Sequence, residues 1–340
     1  MSQPLLSHLL VLAQQTAPAS GSAVTTLLQT LVDGFTVGSL YALIALGYTM
    51  VYGILKFINF AHSDIFALGV HMTIVIAGWF GVAGASSAGV PAWYVGLGVL
   101  VLSMATCGLV GFIIERLAYK PLRDAPRLNV LITAIGVSLF LENVGQLKPI
   151  GSIGIPFGPY PSPTPTLVAN TTLFTLSGVD IHLIEVTVVG TALLLMLGLQ
   201  FLIFRTKLGS AMRAVSFNHR TAALMGINVN RVISITFVIG SMLAAAAGFL
   251  YALKYSGQAK QTADAMWIML GLKAFVAAVV GGIGNVRGAV IGGLLIGLIE
   301  FFGVQYLSSQ YRDAYVFIIL ILVLLLRPEG IFGKAVAEKV

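Results

Sequence analysis

The chain has 340 residues, of which 58% are hydrophobic and only 9% are charged, and its formal net charge is +7. A soluble domain carries about a quarter charged residues, and the mean hydropathy of +0.96 is high for a protein surrounded by water. Because the basic residues stand in short stretches between apolar runs, the net charge does not indicate nucleic-acid binding. The composition therefore predicts a protein embedded in a membrane.

Apolar runs long enough to cross a hydrocarbon core of about 30 Å recur along most of the chain. The run 316–326 is apolar on every face, which favours helices over the alternating pattern of a membrane barrel. We predict an all-α, polytopic transmembrane helical bundle with about eight or nine membrane segments, some of them re-entrant or broken. The apolar segments span 32–55, 60–80, 91–113, 129–147, 183–204, 232–252, 267–285, 288–307 and 313–327.

Lysine and arginine favour cytoplasmic loops, so their distribution predicts the orientation of the segments. With the N-terminus outside and the C-terminus in the cytoplasm, all but five of the 19 basic residues fall on the cytoplasmic side. The exceptions are Lys148, Lys254, Lys260, Lys273 and Arg312. The Pro-rich stretch 149–182 has no lysine or arginine and is predicted to be an external loop, whereas 205–231 is the longest basic loop.

Residues 1–23 are predicted to be an N-terminal extension of a membrane domain at 24–340. The stretch LLSHLLVLA followed by Ala17-Pro18-Ala19 resembles a signal peptide with its cleavage site, but no basic residue precedes it. Cleavage and retention both remain open, and in either case the first segment begins on the external side.

Residues 278–294 contain six glycines around one arginine. A dinucleotide site needs G-x-G-x-x-G after a strand, and a P-loop needs a Lys-Ser or Lys-Thr pair, and neither pattern is present. The apolar flanks favour a tight turn between two membrane helices that pack closely through small residues. The glycines assigned to this turn and packing are Gly281, Gly282, Gly284, Gly288 and Gly292.

No combination of residues in the sequence indicates catalysis or a bound metal. Cys107 is the only cysteine, and the G-x-S-x-G motif is absent. His62-Ser63-Asp64 offers two neighbouring ligands without a third, which is weak evidence for a metal. We expect this triplet near the cytoplasmic end of the second segment, with Asp64 at a helix N-terminus, where negative charge is favoured. The chain is predicted to bind no metal or cofactor and not to be an enzyme.

The basic loop 205–231 carries apolar residues at helical spacing on both sides of Phe217. The spaced pairs are Met212 with Val215, and Ala222 with Met225. This pattern predicts two short amphipathic helices joined near Phe217 to His219, forming a projection that suits a groove on a partner. The alternative is a solvated basic loop that lies against lipid headgroups.

Ionisable residues inside apolar segments are costly and are therefore candidates for function. Lys273 and Glu300 each fall about 10 Å inside the external surface on adjacent segments, at 1.5 Å per residue. We predict that they form a structural ion pair, with a role in translocation as the alternative. Glu142 and Asn143, about 7 Å from the same surface, are predicted to line the external mouth of a pathway unless they only reach interfacial water.

Four separated stretches carry a family resemblance, namely 34–64, the loop ending TAALMGINVNRV, 272–300 and 320–334. Together they resemble the branched-chain amino acid permease of ABC importers, of the LivH type. The resemblance implies a subunit of the bacterial inner membrane that pairs with a second, related permease. It also implies two cytoplasmic ATP-binding subunits, which hold ATP and magnesium, and a periplasmic binding protein that delivers leucine, isoleucine or valine. Relatives of this fold also carry urea or short-chain amides, so the substrate remains open.

By the same resemblance, the loop 205–231 couples the permease to the ATP-binding subunits. The residues assigned to coupling are Arg213, Ala214, Asn218, Ala222, Gly226 and Ile227. Many importer loops have an acidic residue before the paired alanines, whereas the residues from Phe217 to Arg220 are polar or basic here. An acidic contact to the ATPase is therefore left open.

Two other functions are compatible with the same apolar composition. In a secondary transporter driven by protons or sodium, Glu142 and Glu300 would be coupling sites. In a membrane scaffold or receptor subunit nothing would be transported. Copurification with ATPases distinguishes an ATP-driven permease from both.

Overall fold

The structure is a computed structural model, and it describes residues 23–82, 90–123, 125–145, 162–176, 178–257, 259–261 and 266–333. The α-helices are α1 (Ala23–Leu55), α2 (His62–Trp79), α3 (Trp93–Ile114), α4 (Arg127–Gly145), α5 (Leu183–Arg205), α6 (Lys207–Phe217), α7 (His219–Leu224), α8 (Val229–Lys254), α9 (Met266–Gly281), α10 (Val286–Tyr306) and α11 (Arg312–Leu326). A π-helical turn (Glu115–Tyr119) and a 3-10 turn (Lys120–Leu122) continue α3, and a second 3-10 turn (Ser309–Tyr311) precedes α11. The strands are β1 (Ser162–Pro163), β2 (Thr172–Leu176), β3 (Val179–His182) and β4 (Ala259–Gln261).

The predicted helical membrane bundle is confirmed. Each of the nine apolar segments corresponds to one long helix, and seven of the helices in the described residues are long and apolar enough to cross a membrane. The first helix begins at Ala23 rather than 32, so its 33 residues span about 50 Å and exceed the hydrocarbon core. The signal-peptide hypothesis for the chain before Ala23 lies outside the described residues.

The predicted external loop contains short strands that the sequence did not indicate. β2 and β3 form an antiparallel hairpin in which Leu176 pairs with Val179, and Gly178 adopts φ +83 in the turn. β1 pairs with β4, which follows α8. These pairings satisfy backbone groups in a polar connection that has no helical periodicity.

α1 is the central helix of the bundle, and every residue from Thr36 to Val51 is buried. α10 crosses it in the antiparallel direction at very short range. A Cβ placed on Gly293 would lie 2.4 Å from the Ala42 backbone, and one placed on Gly297 would lie 2.3 Å from the Gly38 Cα. Small residues thus allow the two backbones to approach each other, as is typical of membrane helix pairs.

The connection between α1 and α2 turns back into the bundle. Lys56 has a φ of 57°, and the chain then returns so that His62 begins α2 beside Gly47. Gly47 lies eight residues before the end of α1, which corresponds to about 12 Å. Asp64 therefore lies at the start of the second segment, as expected, and the assignment of that end to the cytoplasmic side stays a prediction. The residue is indeed in the first turn of its helix, but that helix begins deep inside the bundle.

Candidate functional site

The basic loop forms a projection made of α6 and α7, and we call residues 206–228 the basic projection. Each helix has a side-chain cap at its start, since the Thr206 hydroxyl accepts from Gly209 N at 3.1 Å and Asn218 Oδ1 accepts from Thr221 N at 3.1 Å. Gly226, with φ +79, ends α7, and Ile227 N donates to the Ala222 carbonyl at 3.1 Å. Polar and glycine caps thus define both helices locally.

Most residues assigned to coupling build the basic projection rather than cover its surface. Ala222 is buried, Ala214 and Ile227 are half-buried, and Asn218 and Gly226 shape the turns. Arg213 donates to the Ile203 carbonyl at the end of α5, and its guanidinium lies 5.8 Å from the Phe204 ring. Their roles in coupling remain predictions, but their structural roles are visible.

Three large apolar side chains at the corners of the basic projection are exposed instead. Phe217 is 93% exposed, Leu224 is 87% exposed and Met225 is 78% exposed. The expected packing of Met212 and Val215 is observed, whereas the pairing of Met225 with Ala222 on a buried face is wrong. Met225 follows the last helical residue of α7, where the helical spacing no longer applies. The sequence signal for these exposed side chains was that apolar residues stand next to Asn218 and Gly226, the residues that cap the helices.

The basic projection contacts the end of the central helix. A ring nitrogen of His219, Nε2, lies 2.9 Å from the Ile54 carbonyl in the last turn of α1. Arg287 of α10 lies near the end of α5, with its guanidinium 5.5 Å from the Phe204 ring. Just before Arg287, Asn285 Nδ2 donates to the Phe332 carbonyl at 2.9 Å. The predicted cytoplasmic groups therefore share one end of the bundle, which we call the basic end.

The glycine-rich turn between α9 and α10 also lies at the basic end. Gly282 and Gly284 have φ values of 101° and 93°, which glycine adopts without strain. A Cβ placed on Gly281 would lie 2.1 Å from the Gly288 carbonyl oxygen, and one on Gly292 would lie 2.1 Å from the Ala277 carbonyl oxygen. The turn is therefore filled by close backbone contact.

The C-terminal segment packs against this turn. Ile331 N donates to the Val280 carbonyl at 2.8 Å, and Phe332 N donates to the Gly281 carbonyl at 3.2 Å. These bonds use backbone acceptors at the end of α9 that would otherwise have no helical partner. The glycine stretch thus serves as a packed junction of three chain segments.

A buried ionic network surrounds Glu300 near the opposite end of the bundle. Glu300 accepts from Lys273 Nζ at 3.0 Å, from the Tyr41 hydroxyl at 2.7 Å and from the Arg312 guanidinium. Lys273 also contacts Asp313 Oδ1 at 2.5 Å. The ion pair of Lys273 with Glu300 is present, and it belongs to a network that also ties α1 and α11 to α9 and α10.

Glu142 and Asn143 lie apart from this network, near the end of α4. Asn143 is exposed, and its amide donates to the Leu139 carbonyl of its own helix at 2.7 Å. Glu142 is half-buried and makes no salt bridge within the described part of the chain. The structure therefore does not bring the four pathway candidates together at one site.

Sequence reasoning missed a second ionic cluster at the same end. Lys254 Nζ contacts Asp33 at 2.8 Å and Glu185 at 3.2 Å, which joins α8 to α1 and α5. An apolar cavity of about 530 Å³ opens beside this cluster, lined by Phe35 and Val189 among others. The sequence signal for this cluster was that Lys254, Asp33 and Glu185 each stand at the edge of an apolar segment.

No cluster of three or more metal-ligating side chains occurs in the described ranges. Glu115, which is fully buried after α3, contacts Arg123 and accepts from the Ser234 hydroxyl at 2.6 Å. The Glu115–Arg123 contact lies within the continuation of α3, and the other ionic contacts described so far join neighbouring helices. The geometry of these groups is thus that of a packed membrane bundle with one projecting surface.

Together, the membrane helices, the glycine-packed crossings and the basic projection define a multi-pass helical membrane protein with one projecting basic surface. Residues 30–326 match the family described as branched-chain amino acid transport system / permease component, and the chain belongs to this family.

Named relatives match over nearly their full length. The chain is 41% identical to the high-affinity branched-chain amino acid transport system permease protein BraD of Pseudomonas aeruginosa, over 92% of this chain and 98% of that protein. It is 40% identical to the corresponding permease protein LivH of Escherichia coli K12, over 92% of this chain and 97% of that protein. A probable branched-chain amino acid permease LivH of Methanocaldococcus jannaschii is 28% identical over 87% of this chain and 89% of that protein. These relatives are transport permeases rather than enzymes by name.

Proposed function

We propose that the chain is the membrane-spanning permease subunit of an ATP-driven importer that carries leucine, isoleucine and valine. The family match over residues 30–326, with relatives named for this transport, is the observation that carries the proposal. The partners are a second related permease, two cytoplasmic ATP-binding subunits that hold ATP and magnesium, and a periplasmic binding protein that delivers the amino acid. The chain itself hydrolyses nothing.

In this proposal the basic end faces the cytoplasm of a bacterial cell, and the protein resides in the inner membrane. The positive-inside rule supports this orientation, because the basic projection and Arg287 lie at one end of the bundle. It places the start of α1 outside and the segment after α11 in the cytoplasm.

The basic projection is the docking surface for the ATP-binding subunit. Phe217, Leu224 and Met225 form its exposed apolar corners, and large apolar side chains of this kind contribute most when a partner buries them. His219 transmits movement to α1, because its ring is hydrogen-bonded to the Ile54 carbonyl. Glycine-packed crossings allow the helices to move against each other without long side chains between them.

An ion-coupled mechanism through Glu300 is less compatible with the geometry. The carboxylate already accepts from Lys273, Tyr41 and Arg312, so it offers a proton or sodium ion little free coordination. Glu300 instead stabilises the packing of four helices.

Docking is tested with Phe217→Ser combined with Leu224→Ser. We expect the amount of ATP-binding subunit that copurifies to fall about tenfold or more, because two exposed apolar anchors are lost. Leu307→Ser is the matched control, since Leu307 is 75% exposed near the opposite end. Undiminished copurification of the double variant would show that the basic projection does not dock.

Transport is tested with the complete complex in proteoliposomes, supplied with the binding protein and radiolabelled solutes. We expect leucine uptake that requires internal ATP and the binding protein, and no uptake of urea or acetamide. Uptake that survives ATP depletion and collapses with an uncoupler contradicts the ATP-driven mechanism. Uptake of urea without leucine would assign the chain to the amide-carrying relatives.

A further inference from the structure

Asp64 lies inside the bundle, and close contacts of two residues just before it, His62 and Ser63, establish its depth. A Cβ on Gly47 of α1 would lie 2.2 Å from His62 Nε2, and one on Gly271 of α9 would lie 1.9 Å from the Ser63 Cβ. Gly271 is ten residues before the end of α9, or about 15 Å from the basic end. The N-terminal turn of α2 thus lies inside the bundle, roughly 12–15 Å from the basic end.

Asp64 differs from the other buried carboxylates in its partners. Glu115, Glu185 and Glu300 each contact a lysine or arginine. Asp64 is only 7% exposed, and its Oδ2 accepts from the Ser138 hydroxyl at 2.5 Å. Among the residues that the structure describes, no basic side-chain nitrogen lies within 4.0 Å of it. A buried carboxyl group is costly as an anion without a cation, so it either holds a proton or is neutralised by a cation that the described part of the chain does not supply.

The helix opposite Asp64 presents a single packed face. Val130, Ala134 and Ser138 are the buried residues at successive four-residue steps of α4, and half-buried Glu142 is the next. Most other large apolar side chains of α4, such as Phe140, are exposed. The packed face of α4 therefore carries two polar residues, Ser138 next to Asp64 and Glu142 one turn closer to the end of the helix.

Tyrosine and amide groups lie in the connection to α2 and against its first turn. The Tyr119 hydroxyl of the π-helical turn donates to Asn59 Oδ1 at 2.5 Å, in the connection that leads to α2. Tyr48 of α1 packs edge-on against His62, with the ring centroids 4.7 Å apart. The region thus combines one carboxylate with hydroxyl groups and aromatic rings, an environment that suits an ammonium group carrying an apolar side chain.

We infer that Asp64, together with Ser138, receives the ammonium group of the transported amino acid as it passes through the bundle. The inference rests on the proposed function and adds which side chains of the permease contact the substrate. A carboxylate forms charge-assisted hydrogen bonds with an ammonium group, and the two charges compensate each other where water is scarce. Ser138 keeps the carboxylate in place on the face of α2 that meets α4.

The role in transport is tested in proteoliposomes of the complete complex. Asp64→Asn keeps the shape of the side chain and an acceptor for Ser138 but removes the charge. We expect the initial rate of leucine uptake to fall about tenfold or more in Asp64→Asn, and less in Ser138→Ala, with the amount of assembled complex unchanged. Ser103→Ala, which removes another buried hydroxyl, located 3.5 Å from Thr73 Oγ1, is the control and should retain full uptake.

The chemistry of the ligand is tested by saturation-transfer NMR on the complex in nanodiscs. The probes are leucine, isoamylamine, which lacks the carboxylate, and isocaproate, which lacks the ammonium group. We expect the signals of leucine and isoamylamine to weaken in Asp64→Asn and the signal of isocaproate to stay unchanged. Equal uptake by wild type and Asp64→Asn, or equal loss of all three signals, would overturn the inference.

Two further outcomes separate this inference from its premises. If leucine uptake by the wild type requires sodium or a proton gradient and Asp64→Asn removes that requirement, Asp64 is a coupling-ion site and the inference is wrong. If the wild-type complex takes up no leucine, the proposed function fails, whereas binding of isoamylamine still decides whether Asp64 holds an ammonium group.

Discussion

Gly297→Ala is expected to destabilise the protein by about 3 kcal/mol, at the upper end of the range for overpacked sites. The added methyl group would lie 2.3 Å from the Gly38 Cα and 2.6 Å from the Gly34 carbonyl oxygen. These are backbone atoms, so no side-chain rotation relieves the clash, and α10 must separate from the central helix α1. The midpoint of thermal unfolding and the yield of monodisperse protein in detergent measure the effect.

The same substitution at Gly198 of α5 is the matched control. A Cβ on Gly198 meets nothing within 4 Å, and alanine favours a helix over glycine by about 1 kcal/mol. Gly198→Ala should therefore be neutral or stabilising. Equal unfolding midpoints for the two variants would show that the crossing of α1 and α10 tolerates a wider separation.

Glu300→Ala is expected to destabilise the bundle by about 3–5 kcal/mol, as is typical when one partner of a buried ion pair is removed. The change leaves the Lys273 ammonium group and the Arg312 guanidinium without their shared acceptor, and it also removes the acceptor of the Tyr41 hydroxyl. Thermal unfolding of the purified protein measures the loss. Asp180→Asn, on an exposed strand of the hairpin, is the control and should have little effect.

Exchanging the charges of Lys273 and Glu300 is expected not to restore stability. The exchanged lysine at position 300 would face Arg312, and the exchanged glutamate at position 273 would face Asp313. A double exchange restores a pair only when neither residue has further charged partners. Recovery of the wild-type midpoint by the double variant would falsify the network of four charged residues, Lys273, Glu300, Arg312 and Asp313.

The membrane bundle itself could be predicted from the sequence, because lipid requires long apolar helices and short polar connections. The basic projection was equally accessible, since Thr206, Asn218 and Gly226 act on backbone groups only a few residues away. The glycine turn was visible for the same reason, because left-handed backbone at Gly282 and Gly284 is a local property.

The position of α2 could not be predicted from its pattern. The chain from Lys56 to Ala61 reads as a short loop, and only contacts of His62 and Ser63 with α1 and α9 show that it turns back into the bundle. Asp64 is therefore at the start of its helix, as expected, but inside the bundle rather than at its basic end. Its partner Ser138 lies 74 residues away in the sequence.

Sequence alone determined that this chain crosses a membrane as helices, where those helices begin and end to within a few residues at most boundaries, and where a basic projection interrupts them. Only the tertiary structure decided which helices are neighbours, and hence that Glu300 meets Tyr41, 259 residues away. The physical reason is that a helix in lipid is apolar on nearly every face, so its periodicity does not reveal which face meets protein. Which buried polar groups come into contact depends on which face of each helix packs against protein.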